Sequence, residues 1–136
     1  MEMGEAGESL AKKKCVPCEK GVLPLGRGEA ERYLKEVACL PAGRGGDWRL
    51  SGDGKAVEVL YVMKDFMAAV RFIQEIAKIA EEENHHPDLH LTGYRKLLVQ
   101  LSTHAIGGLS ENDFILAAKI HRLPKELKAT NPPCPL

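Results

Sequence analysis

The stretch AVEVLYVMKDFMAAVRFIQEIAKIAEEENHHP, residues 56–87, decides the fold, because it passes from a β-branched run into a helical period and ends on paired histidines. Ala56 to Val62 is rich in the residue types that suit a pleated strand. From Asp65, a cap residue, the period changes. Phe66, Val70, Ile73, Ala77 and Ala80 then share one face of a helix, while Arg71, Gln74, Glu75, Lys78 and Glu82 point away. Upstream, Trp48-Arg49-Leu50 alternates apolar and polar, and Ser51-Gly52-Asp53-Gly54 supplies turn residues, so the segment reads as a hairpin. Downstream, a brief extended segment near Leu89 to Leu91 precedes a strand from Tyr94 to Thr103. There Leu97, Val99, Leu101 and Thr103 alternate with Lys96, Leu98, Gln100 and Ser102, which gives one buried face.

The flanks complete the order. Ala30, Tyr33, Leu34, Val37 and Ala38 recur at helical spacing until Pro41 and the Gly43 to Gly46 stretch end that helix. Gly107-Gly108 breaks the chain, and Ser110-Glu111-Asn112-Asp113 fits a capping-box start to a last helix carrying Phe114, Ala117, Ala118 and His121 on one stripe. The order α, β, β, α, β, β, α lacks the regular alternation of a parallel sheet. It predicts an α+β single domain, a four-stranded antiparallel sheet with three helices packed on one face. Residues 1–28 read as a mobile arm and irregular segment, 29–123 as the domain, and 124–136 as a tail. The uncovered sheet face and edge strands call for association with another subunit.

Composition narrows the function classes. The 136 residues carry 19 basic and 19 acidic side chains, so no net positive field collects nucleic acid or anionic lipid. No run approaches the roughly 20 apolar residues of a membrane span. The first nine residues lack the apolar core of a secretory signal, and their acidity argues against a transit peptide, which makes the cytoplasm the expected compartment, or a plastid if a transit peptide has been removed. Without a secretory signal, Cys15, Cys18, Cys39 and Cys134 read as free thiols. Cys15-Val16-Pro17-Cys18 has zinc or redox spacing but lacks the second pair or the βαβ pattern that would support it.

Three of the five histidines fall where elements end: His85 and His86 just past the long helix, and His104 at the exit of the long strand. Imidazole exchanges protons near neutrality, so the chemistry suggested is proton transfer. Three imidazoles can also bind zinc, but adjacent histidines in an extended segment point in opposing directions. The bland alternative is solvated histidines at a helix end.

The whole constellation is Glu81-x-x-x-His85-His86-Pro87, six residues, Tyr94, nine residues, His104, eight residues, Asp113. It resembles the signature of the pterin-4a-carbinolamine dehydratases, as does the flanking text Ser102-Thr103-His104 and Gly108-Leu109-Ser110-Glu111. The resemblance covers residues 29 to 123. Lys14-Cys15-Val16-Pro17-Cys18-Glu19 and the six-residue gap before Tyr94 resemble the plant-type branch.

The resemblance implies an enzyme that removes water from 4a-hydroxytetrahydropterin (4a-hydroxytetrahydrobiopterin) to give quinonoid dihydropterin in pterin recycling. It implies His85 and His104 as the acid/base pair and His86 as the residue orienting the pterin. Pro87, Tyr94, Asp113 and Glu81 are the further substrate-site positions. Each also has a structural reading: helix exit for Pro87, packing for Tyr94, helix capping for Asp113 as against pterin contact or histidine orientation, and a solvated helix residue for Glu81 as against a partner of His85. A homodimer or homotetramer is implied as well, and no metal and no cofactor, since elimination changes no oxidation state. Some members bind a transcription factor as dimerisation cofactors, and related plastid proteins assist assembly of the carbon-fixing enzyme. A non-catalytic binding protein of the same fold is therefore the alternative.

Overall fold

The computed structural model describes residues 10–15, 23–38 and 48–128. Its elements are α1 (Arg27–Ala38), β1 (Arg49–Leu50), β2 (Val57–Val62), α2 (Phe66–Glu83), β3 (Asp88–Thr92), β4 (Lys96–Leu101), a 3-10 turn (His104–Ile106) and α3 (Glu111–Arg122). All strand pairs are antiparallel, in the order β1-β2-β4-β3. This is the expected sheet, with β1 and β3 as its edges.

Alternation explains why one face is covered. Val57, Val59 and Tyr61 of β2 lie opposite Leu101, Val99 and Leu97 of β4, and all six are buried. Glu58, Leu60, Lys96 and Gln100 face the other way. A fully buried side chain of this size contributes about 1.5–3 kcal/mol of transfer free energy, so the row is the spine of the core. The central helix is α3, which packs against both α1 and α2 and is buried nearly all round. Tyr33 of α1 stacks on its Phe114, with ring centroids 5.3 Å apart.

Four segments depart from the sequence reading. The inward face of α2 is Ala68, Ala69, Phe72, Ile76, Ala80 and Glu83, whereas Phe66 is half exposed and Ala77 is exposed. The helix carries two apolar stripes. The stripe with two small alanines at its start is the one that approaches the sheet, leaving bulky Phe66 and Met67 outside. Tyr94 does not open a strand: it sits in the β3–β4 turn with φ of 54°, 54% exposed, and the strand begins at Lys96. Residues 10–15, placed in a mobile arm, are docked, with Leu10 and Ala11 buried. Residues 126–128, placed in the tail, pair with the end of β2 through Lys64 N–H to Glu126 O and Lys128 N–H to Val62 O. Cys18, Cys39 and the last eight residues, Cys134 among them, lie outside the described residues. No helix among the described residues is long and apolar enough to cross a membrane.

Candidate active site

Two helix ends and one strand exit meet at the histidines. Asp65 accepts from Ala68 N–H at 2.8 Å to start α2, and Asn84 ends it in the left-handed region, φ 52° and ψ 41°. Asn84 N–H then bonds Glu81 O, and His85 N–H reaches back to Ala80 O. This reversal satisfies the last carbonyls and turns the chain sharply, which points His85 and His86 away from the helix axis. Pro87 follows and cannot resume the helix.

The exit of β4 is shaped by two glycines. Thr103 N–H bonds Gly108 O at 2.8 Å, closing a loop in which Gly107 takes φ of 70° and Gly107 N–H caps His104 O. Gly108 has no room for a side chain, since a Cβ there would lie 2.8 Å from Pro24 Cβ. The loop holds His104 exposed at one end of its 3-10 turn. Its ring makes no hydrogen bond to the described residues.

Asp113 ties these parts together. It is fully buried at the third position of α3, where Ser110 N–H donates to its Oδ2 at 3.0 Å and completes the capping box. Thr103 Oγ1 donates to the same oxygen at 2.8 Å. The other oxygen, Oδ1, lies 2.7 Å from His85 Nε2. Capping and histidine orientation, set against each other from the sequence, are both performed, one by each oxygen. Against an ionised carboxylate, which only accepts, His85 Nε2 is the donor, and in the neutral ring Nδ1 is then the atom that presents the lone pair. Glu81 bonds His86 Nε2 at 2.7 Å rather than His85, and this pair is exposed.

His85, His86 and His104 line one cavity of about 480 Å³, together with Ser102, Thr103, Asn112, Glu83 and Cys15. That volume suits a small flat heterocycle. Asp113 lies beneath His85 and Glu81 beside His86, while Pro87 and Tyr94 do not line the cavity. Tyr94 is at the far end of the β3–β4 hairpin, its ring stacked under the Arg95 guanidinium. Sequence reasoning missed Thr103, Glu83 and Cys15. Thr103 could have been found from its place beside His104, whereas Cys15 and Glu83 carry no local signal. Among the described residues no three His, Cys, Asp or Glu side chains are grouped to hold a metal.

Residues 24–123 match the family model described as pterin 4 alpha carbinolamine dehydratase. The chain is 42% identical over 120 residues to "Pterin-4-alpha-carbinolamine dehydratase 2, mitochondrial" of Arabidopsis thaliana. That match covers 86% of this chain and 60% of the relative, so this chain matches somewhat under two thirds of that protein's length. A Halorhodospira halophila protein provisionally named for the same activity is 41% identical over 115 residues, covering 85% of this chain and 97% of that one. Among solved structures, a "transcriptional coactivator/pterin dehydratase" from Brucella melitensis matches with a TM-score of 0.61 at 27% identity, covering 71% of this chain and 94% of that one.

Proposed function

The chain belongs to the pterin-4a-carbinolamine dehydratase family, and on that footing we propose that it removes water from a 4a-hydroxytetrahydropterin to give the quinonoid dihydropterin. The observation that carries the reading is the buried Asp113 carboxylate bound to His85 Nε2 under a cavity that His104 also lines. Asp113 fixes the tautomer of His85, so Nδ1 is the base that takes the ring-nitrogen proton. His104 gives a proton to the departing 4a-hydroxyl. As the C4a–O bond breaks, the electron pair left on the nitrogen closes a C=N double bond and water leaves. No electrons are gained or lost. His86, braced by Glu81, orients the ring.

The sheet supports a homo-oligomer. β3 is an edge strand, and Phe66 and Met67 of α2 are 50% and 56% exposed. The cytoplasm is the proposed compartment, although the Arabidopsis relative is named mitochondrial.

The test is the dehydration rate of enzymatically generated 4a-hydroxytetrahydropterin, with folding of each variant verified. General acid/base catalysis contributes about 100-fold to 10,000-fold, so His85→Ala and His104→Ala should each slow the reaction on that scale. A folded parent no faster than the spontaneous reaction would sink the dehydratase reading. Full activity in both variants would sink the two histidine roles.

A further inference from the structure

The dehydration chemistry leaves one part of the cavity wall unexplained: Cys15, which residues 10–15 carry into the lining. Five contacts hold it. Leu10 and Ala11 are buried in the core cluster. Lys119 of α3 donates from Nζ to Ala11 O at 2.6 Å, and Lys13 pairs with Glu111 at 2.5 Å. Cys15 N–H donates to Glu83 Oε1 at 2.8 Å, and Cys15 Sγ to Asn112 O at 3.6 Å. Glu83 is the hub, because its other oxygen lies 3.5 Å from Lys14 Nζ and 3.7 Å from Lys119 Nζ. Burial raises the pKa of Glu83, but the Cys15 amide and the two lysines outweigh that and leave it below the ordinary carboxylate value.

A carboxylate whose side chain is only 4% exposed is unusual at a helix end, and here its neighbours all belong to the segment or clamp it. Glu83 is also the last residue of α2, two positions before His85, and both line the cavity. The anchor of the segment and the chemistry therefore share one turn of chain. We propose that residues 10–15 are a strap that forms a wall of the pterin slot, and that Glu83 is the positioning residue holding Cys15 in that wall, so that the strap sets substrate affinity. This rests on the dehydratase reading. Glu83 is occupied by the Cys15 amide, Lys14 and Lys119, so its effect falls on binding of the ring and not on proton transfer.

The experiment uses the full chain and two readouts. Glu83→Gln keeps an oxygen for Cys15 N–H but discards the charge that holds Lys14 and Lys119. Lys119→Met discards the Ala11 tether from the other side and serves where the first variant fails to fold. Each should raise the KM for the 4a-hydroxypterin about tenfold, equivalent to about 1.4 kcal/mol, with kcat within twofold. Equilibrium binding of 7,8-dihydropterin, which cannot be dehydrated, should weaken by the same factor. Because that binding needs no turnover, a parent that binds it but does not dehydrate defeats the catalytic reading and leaves the strap standing. A lowered Tm with unchanged KM and unchanged dihydropterin affinity would overturn the strap as a wall of the slot. A parent that binds no dihydropterin would overturn it too.

Discussion

Acid should destabilise this protein through one buried histidine outside the catalytic set. His121 is 1% exposed, and its Nδ1 lies 3.1 Å from Trp48 Nε1 and 3.0 Å from the Tyr61 hydroxyl. An indole N–H can only donate, so Nδ1 must be unprotonated and the ring neutral, with its proton on Nε2. That Nε2 has no hydrogen-bond partner among the described residues. Burial, aided by the Lys125 charge, pushes the pKa of His121 down from 6.5 to about 4. The unfolded chain binds the proton first as pH falls, so the stabilisation is complete above 6.5 and is lost between 6.5 and about 4. Two and a half units at about 1.4 kcal/mol each give a loss of roughly 3 kcal/mol. Lys125, lowered to about 8 by its own burial, is protonated throughout that window and adds no slope. The assay is urea unfolding at pH 7 and pH 4.5 of the parent and His121→Gln, whose amide oxygen can still accept from Trp48 but cannot titrate. From pH 7 to 4.5 the parent should lose about 2 to 3 kcal/mol more than the variant. An equal loss in both proteins would refute the reasoning.

Substitutions at two further positions test local geometry. Asp113→Asn keeps a side-chain oxygen for Ser110 N–H but upsets the pairing with His85, so dehydration should slow about 100-fold while the Tm changes little. Asp113→Ala removes cap and partner together and should cost about 2–4 kcal/mol in chemical denaturation. Asn84 stands at φ 52°. There Asn84→Gly should be tolerated within about 0.5 kcal/mol, whereas Asn84→Val should destabilise by about 1–2 kcal/mol because a β-branched side chain resists the left-handed region.

What was legible in the sequence was what neighbours in sequence decide. The alternation in β2 and β4, the Asp65 cap, the Ser110–Asp113 box and the histidine spacing are each read within a few residues. The inward face of α2 was not legible, because both apolar stripes satisfy a helical period and only close approach to the sheet chooses the one with small residues. Tyr94 carried the β propensity of an aromatic, and the tight turn at Gly93 overrode it. The docked strap was the least legible of all. Its anchors join residues 68 and 97 positions apart, and no local pattern announces that Cys15 N–H will meet Glu83 or that its thiol will meet Asn112.

The site is assembled from groups the fold needs in any case, which separates what folding explains from what it does not. Asn84 is required to end α2, Thr103 and Gly108 to close the loop after β4, and Asp113 to start α3. Remove the chemistry and each of these would still have a physical reason to be there. His86 and His104 have none: no strand pairing or helix cap depends on their rings, and both are exposed. His85 has a part in the fold as well, since it satisfies the one oxygen of the buried Asp113 that capping leaves over. A chain of this fold kept only as a binding surface would need no imidazole at the two exposed positions. The convergence of three imidazoles on a single cavity is therefore the feature that the proposed proton transfer would account for and folding alone does not.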